Sequence, residues 1–192
     1  KIKIMNYAIV DLEASGGKKF ENRIIEIGIV LTDGHQIEQT YQTLVNPKTT
    51  VSKFVEKLTG IYSAQLIQEK LFSVFATEIF EMLKGRIFVA HNVSFDYSLL
   101  REELKRCGLS LELPRLCSMK LARKAFPKLS SYSLGSVCNH LNHPLQNAHR
   151  ALDDALGAYE ILKAVIEQYG EEFAWKQATH KGIFGFKKQQ TV

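Results

Sequence analysis

Residues 23–31 form a nearly unbroken β-branched run, Arg23-Ile24-Ile25-Glu26-Ile27-Gly28-Ile29-Val30-Leu31. A strand of that composition has to be covered on both faces, which predicts a central position in a sheet. Before it, Tyr7-Ala8-Ile9-Val10 leads into Asp11-Leu12-Glu13, and after it Asp33-Gly34 marks a tight hairpin into residues 36–44. Three successive antiparallel strands are therefore expected. Glu26 is out of character in this run and is expected to reach solvent or an arginine rather than a ligand.

Beyond Asn46-Pro47 the pattern turns helical. Residues 51–58 and a short stretch after Gly60 read as helix, turn, helix, and Phe72, Phe75, Ala76, Ile79, Phe80 and Leu83 carry the spacing of an amphipathic helix whose stripe is core. A fourth strand, Arg86 to Ala90, delivers the chain to His91-Asn92, and a helix over 93–106 closes at Gly108. Leu116-Cys117-Ser118 reads as a fifth strand, followed by helices over 119–125 and 133–141 and a long one from Ala148. With 192 residues, 45% of them hydrophobic, one globular core is the expectation. No apolar stretch approaches the roughly 18 residues that a membrane span requires, and no signal-peptide pattern opens the sequence, so a soluble, cytoplasmic protein without a membrane partner is expected. Cys107, Cys117 and Cys138 are odd in number and lack a C-x-x-C pair, which argues against a disulfide framework or a cysteine zinc site. A net charge of +5 is compatible with an anionic partner such as nucleic acid.

Four acids stand out. Asp11 and Glu13 share one face of the first strand with Tyr7 and Ile9. Side by side they repel, and they persist with cations between them, by partial protonation, or in open water. Asp96 interrupts the apolar side of its helix and lies in the row of Leu99 and Leu100, pointing inward, where it either satisfies helix-start N–H groups or binds metal. On the long helix, Asp154 shares a row with Ala151, Ala158, Ile161 and Val165, whereas Asp153 leads to Gly157, Glu160 and Glu167. Asp154 is thus expected to face the core and Asp153 water. His149 would lie about 140° from Asp154 on a continuous helix, so the two share a site only if His149 sits on the loop that enters it. Alone His149 is a surface histidine or a catalytic one; beside Asp154 it becomes a candidate base. Lys18 and Lys19, in the glycine-rich loop 14–22, either touch phosphates or are solvated. From Tyr169 onward Phe173, Trp175, Phe184 and Phe186 alternate with Lys176, Lys181, Lys187 and Lys188, as a nucleic-acid arm, a docking segment or a tail folded back on the domain.

Asp11-x-Glu13, His91-Asn92-x-x-Phe95-Asp96 and His149-x-x-x-x-Asp154 follow one another in register, joined by Arg23–Ile29, Leu58–Ile61 and Tyr132–Leu134. Over about residues 6–165 this resembles the DEDDh branch of the DnaQ-like (RNase T-like) 3′→5′ exonucleases. The resemblance implies an α/β, RNase H-like fold: a mixed five-stranded sheet, three antiparallel strands then two parallel, flanked by helices. It implies hydrolysis of phosphodiesters from a single-stranded 3′ end, most simply DNA, with Asp11, Glu13, Asp96, His149 and Asp154 as catalytic residues. The four acids suit two hard divalent ions, Mg²⁺ or Mn²⁺, rather than zinc. By analogy Asp11 bridges both ions, Glu13 and Asp154 serve the one that carries the nucleophilic water, Asp96 serves the other, and His149 is the general base. Ser15, Leu58, Ile61, Asn92 and Phe95 are the implied substrate contacts, although Leu58, Ile61 and Phe95 read equally well as core. Ala14-Ser15 departs from the two threonines usual at that place, which bears on contacts to the terminal nucleotide. An exonuclease domain over 1–168 is expected, with 169–192 a basic, aromatic extension leading toward a further domain, and a polymerase or second nuclease as partner. The competing readings are a non-catalytic docking module and a structure-selective endonuclease on the same scaffold.

Overall fold

The computed structural model describes residues 5–17 and 21–179. Strand β1 (Tyr7–Ala14) pairs antiparallel with β2 (Ile24–Thr32), and β2 antiparallel with β3 (Ile37–Leu44). On its other side β1 runs parallel to β4 (Ile87–Ala90), which is parallel to β5 (Arg115–Cys117), giving the order β3-β2-β1-β4-β5. This is the mixed five-stranded sheet the sequence predicts. Every residue of β2 is buried, as its continuous apolar run requires, whereas β3, at the edge, is largely exposed. The β2–β3 turn is closed by Asp33, whose Oδ1 accepts from the His35 and Gln36 N–H groups, both at 2.8 Å.

The sheet carries helices on both faces. Alternation along β1 sends Ala8, Val10 and Leu12 into a core with α3 (Phe72–Leu83) and α4 (Val93–Arg106). Tyr7 and Ile9 enter the opposite core with α5 (Ser118–Ala125) and α7 (Ala151–Tyr169). Two short helices, α1 (Lys53–Thr59) and α2 (Ser63–Leu66), follow β3 in the chain and pack against Ile25 and Leu44, and α6 (Leu134–His140) packs beside α7. Among the described residues no helix is long and apolar enough to cross a membrane.

Two local expectations change, and one of the alternatives left open for the C-terminal segment is seen. Helix α7 starts at Ala151, not Ala148, since His149 takes a left-handed φ of 65° and Arg150 is extended. Gly157, assigned to the water-facing row, is buried: a Cβ there would meet Leu145 Cδ2 at 2.5 Å and Cys138 Sγ at 3.1 Å. After residue 168 the chain stays on the domain. Helix α8 (Glu171–Gln177) buries Ala174, with Phe173 and Trp175 packed against the α7 core, and Thr179 bridges Arg115 of β5. That part of the extension is folded back rather than free. Lys18 and Lys19 of the first loop, and Lys181, Phe184, Phe186, Lys187 and Lys188 of the tail, lie outside the described residues.

Candidate active site

The end of β1 presents Asp11 and Glu13 toward α7, continuing the face of Tyr7 and Ile9, and the strand pairing becomes irregular just beyond, between Glu13 and Ala14. Helix α7 brings its first turn directly over β2. The contact is close because Gly28 has no side chain: a Cβ there would lie 2.3 Å from the Ala151 carbonyl. Asp154, in that first turn, is buried, while its neighbour Asp153 is half-buried and accepts from Asn147 Nδ2 at 3.3 Å. The His149 N–H donates to Asp154 Oδ2 at 3.2 Å, which folds the approach to the helix back on the acid. One ligand atom each from Glu13, His149 and Asp154 fall within 4.8 Å of one another. His149 is exposed on the loop before the helix, the arrangement in which the sequence lets it share a site with Asp154.

Helix α4 supplies Asp96 from the other layer. Asp96 is buried, and its Oδ1 accepts from the Leu12 N–H at 3.2 Å, between the two acids of β1. Asp11 and Asp96 join no triangle as tight as that of Glu13, His149 and Asp154 among the described residues. Asp96 opposes the ionisation of Asp11, and Glu13 that of Asp96. Burial first, then the charges of Asp96, Asp154, Glu13 and Glu26, hold the Asp11 carboxyl well above the ordinary carboxylate range. Burial, then Asp154 and Glu26, push Glu13 up to about 7 against the pull of Arg150. Asp96 rises to about 7, its burial outweighing the backbone hydrogen bonds it accepts. Burial raises Asp154 too, despite the His149 N–H.

Four mutually repelling acids of this kind call for a cation. Asp154 Oδ1 is fully buried and has no hydrogen-bond partner among the described residues, the costly condition for a carboxylate oxygen that a metal ion removes. Glu13 and Asp154 bring carboxylate oxygens within 4.8 Å of each other, which suits a hard divalent ion, and a ring nitrogen of His149 lies equally near.

The remaining motif residues divide. His91 is structural: Nε2–H donates to the Tyr132 carbonyl and Nδ1 accepts from the Ser118 hydroxyl, both at 2.9 Å, and burial lowers its pKa. Asn92 is exposed, with a left-handed φ of 78° at the start of α4, and Phe95 one turn on is 45% exposed. Leu58, 41% exposed, shares the outer side of α1 with Phe54, which is 74% exposed and which the sequence reading overlooked. Two implied substrate contacts lie inside the domain. Ile61 is 4% exposed and packs with Ile25, Val51 and Leu66, so it belongs to a core. Ser15 is fully buried; its hydroxyl accepts from the Arg23 N–H at 3.1 Å and its carbonyl from the Ser52 N–H at 2.8 Å, which closes the loop and seats α1.

Glu26 is the residue whose part was least visible in sequence. Buried in β2 directly opposite Glu13, it accepts from Arg150 Nη2 at 2.7 Å, from the Ala151 N–H at 3.0 Å and from Gln42 Nε2 at 2.8 Å. The arginine allowed for it is thus Arg150, 124 residues away.

A mixed sheet with helices on both faces, and acids from β1, α4 and α7 converging on one strand end, define an exonuclease-type nuclease fold. Residues 8–162 match the RNase T exonuclease family, and the chain belongs to it. It is 31% identical over 167 residues to the 3′-5′ exonuclease DinG of Staphylococcus epidermidis, covering 86% of this chain and 18% of that protein. It is 32% identical over 165 residues to the PolC-type DNA polymerase III of Caldanaerobacter subterraneus subsp. tengcongensis, covering 86% and 12%. The chain thus spans less than a fifth of these curated relatives. Among solved structures, exonuclease X in complex with 5′ overhanging duplex DNA aligns with a TM-score of 0.68 at 25% identity, covering 88% of this chain and 97% of that one. The nuclease domain of 3′hExo, a DEDDh family member bound to rAMP, aligns with a TM-score of 0.72 at 22% identity, covering 89% and 96%, and shares the fold. The sheet and its helices are accordingly RNase H-like.

Proposed function

We propose that this domain is a metal-dependent 3′→5′ exonuclease that releases nucleoside 5′-monophosphates from single-stranded nucleic acid, DNA in the first instance. The observation that carries the proposal is the convergence of Glu13, His149 and Asp154 to within 4.8 Å beside Asp11, in a chain of the RNase T family. Two divalent ions, Mg²⁺ or Mn²⁺, held by Asp11, Glu13, Asp96 and Asp154, would neutralise charge on the attacking and leaving oxygens and lower the pKa of a water. The chain's own work is positional and protonic. His149, exposed at the rim, takes the proton of the attacking water as general base, and its N–H bond to Asp154 keeps it beside the acids. Leu58 and Phe95 offer exposed apolar surface for the terminal nucleotide, and Asn92 an exposed amide. A polymerase is the partner class that the PolC-type relative supports.

The test is release of mononucleotides from 3′-labelled single-stranded DNA, with RNA of the same sequence alongside, in Mg²⁺ and in EDTA. The parent chain is expected to be active only with metal, Asp11→Ala inactive, and His149→Ala slower by roughly 10²- to 10⁴-fold with metal binding retained. No metal-dependent release from the parent would leave a docking module as the surviving explanation. Cleavage of circular single-stranded DNA would mark an endonuclease, because an exonuclease leaves circles intact.

A further inference from the structure

The Glu26–Arg150 pair has no part in the chemistry just described, yet Glu26 is the most heavily hydrogen-bonded carboxylate among the described residues. Both Glu26 oxygens lie within reach of Arg150 Nε at 3.2 Å, Oε1 also accepts from Arg150 Nη2 and Gln42, and Oε2 from the Ala151 N–H that begins α7. A fully buried carboxylate in a central strand is costly unless paired this completely. Its partner is the residue directly after His149.

His149 itself is held by little else. Its ring is exposed, and its backbone occupies a left-handed conformation that a residue with a side chain keeps only when its neighbours impose it. On one side the constraint is its own N–H to Asp154; on the other it is Arg150 and Ala151, both tied to Glu26. Glu26 stands opposite Glu13 in the β1–β2 ladder. One hydrogen-bonded strand pair therefore fixes both an acid of the site and the anchor of the residue that faces it.

We propose that Glu26 and Arg150 are positioning residues that hold the His149 turn, and so the imidazole, at the working distance from Glu13 and Asp154; this rests on His149 acting as the base. Both residues act through the turn rather than as ligands of metal or substrate. Arg150 reaches it from the surface, with its side chain 41% exposed, so it is the end of the pair that tolerates substitution.

The experiment compares Arg150→Met and the double substitution Glu26→Gln/Arg150→Met, each in the parent chain and in a His149→Ala background, on 3′-labelled single-stranded DNA with Mg²⁺. The double substitution removes both charges together, so no buried charge is left alone. Both are expected to lower kcat by about 10- to 100-fold with KM within about two-fold in the parent, and the charge-balanced double substitution to change the residual kcat of the His149→Ala chain by less than about two-fold. Equal slowing in both backgrounds overturns the proposal, since the pair would then act on the acids or the fold. An unchanged parent rate overturns it as well. Independently of turnover, the backbone order parameter of the His149 amide should fall from about 0.85 to below about 0.6 in Arg150→Met; an unchanged value also overturns it. A parent chain without metal-dependent nuclease activity sinks the exonuclease proposal instead, and the order parameter still decides the anchoring.

Discussion

The Leu12 N–H donates to Asp96 Oδ1 across 3.2 Å, so the acid on α4 is fastened to the backbone between the two acids of β1. This bond joins two layers of the domain at the site. It makes Asp96 both an anchor for the strand end and a member of the charged cluster.

The two parts separate by substitution. Asp96→Asn keeps an oxygen that can accept from Leu12 and removes one repelling charge, so without metal it should melt at or above the parent temperature. Asp96→Ala leaves the buried Leu12 N–H unpaired, a loss of about 1–3 kcal/mol, and should melt several degrees lower. Nucleotide release should fall by about 100-fold or more in both. Differential scanning fluorimetry in EDTA checks the first pair of outcomes; equal melting temperatures would show that the bond contributes nothing to stability.

The acids also predict how stability depends on pH. Glu13 and Asp96 each titrate at about 7 in the folded chain, raised mainly by burial above the 4.5 and 3.8 of ordinary carboxyls. Between these limits the folded state binds more protons than the unfolded one, so stability falls as pH rises. The contribution is fully present below about pH 4 and is lost as pH passes through about 7. Metal-free protein should thus melt higher at pH 5 than at pH 8. Added Mg²⁺ or Mn²⁺ should raise the melting temperature most at pH 8, where the acids are charged. Melting curves at both pH values, in EDTA and with metal, test this; a metal-free protein more stable at pH 8 would contradict it.

Asp153 and Asp154 are adjacent but not equivalent. Asp154→Asn should abolish most activity and weaken metal binding measured by calorimetry, whereas Asp153→Asn, which loses only a 3.3 Å contact with Asn147, should stay within about two-fold of the parent. The reverse pattern would mean that the exposed face of α7 carries the chemistry.

Gly28 sets the height of α7 over the sheet. Gly28→Ala places a methyl 2.3 Å from the Ala151 carbonyl, so the helix must lift or the strand must bend. Overpacking of this kind typically costs about 1–3 kcal/mol, and the shift should carry Asp154 and His149 away from Glu13. Activity is expected to fall more steeply than stability. A variant with normal turnover would show that the site tolerates displacement of α7.

Legibility in the sequence followed the range of the interactions. The burial of β2, the shared face of Asp11 and Glu13, and the inward side of α7 at Asp154 are periodic properties of single elements, visible as spacing. Ile61 and Ser15 were opaque because what buries them comes from elsewhere in the chain: Ile25 and Val51 for the one, Arg23 and Ser52 for the other. Gly157 was misassigned for the same reason, since its cover is Leu145 and Cys138. The Glu26–Arg150 pair joins β2 to the start of α7, and no local pattern names a partner that distant.

The bridge between Arg115 and Thr179 has a consequence for how the domain behaves in company. These residues exchange both backbone hydrogen bonds, at 3.2 and 2.8 Å, so the outer rim of β5 is occupied at Arg115. Unoccupied strand rims recruit other chains. At the opposite rim, β3 guards itself with Glu38, Gln39, Thr40 and Gln42, all exposed. A domain trimmed to residue 162, where the family match ends, would lose the strap at β5 and the seat of Ala174 together. What was a monomer-compatible sheet would then offer a free ladder beside an apolar patch, a template for self-association.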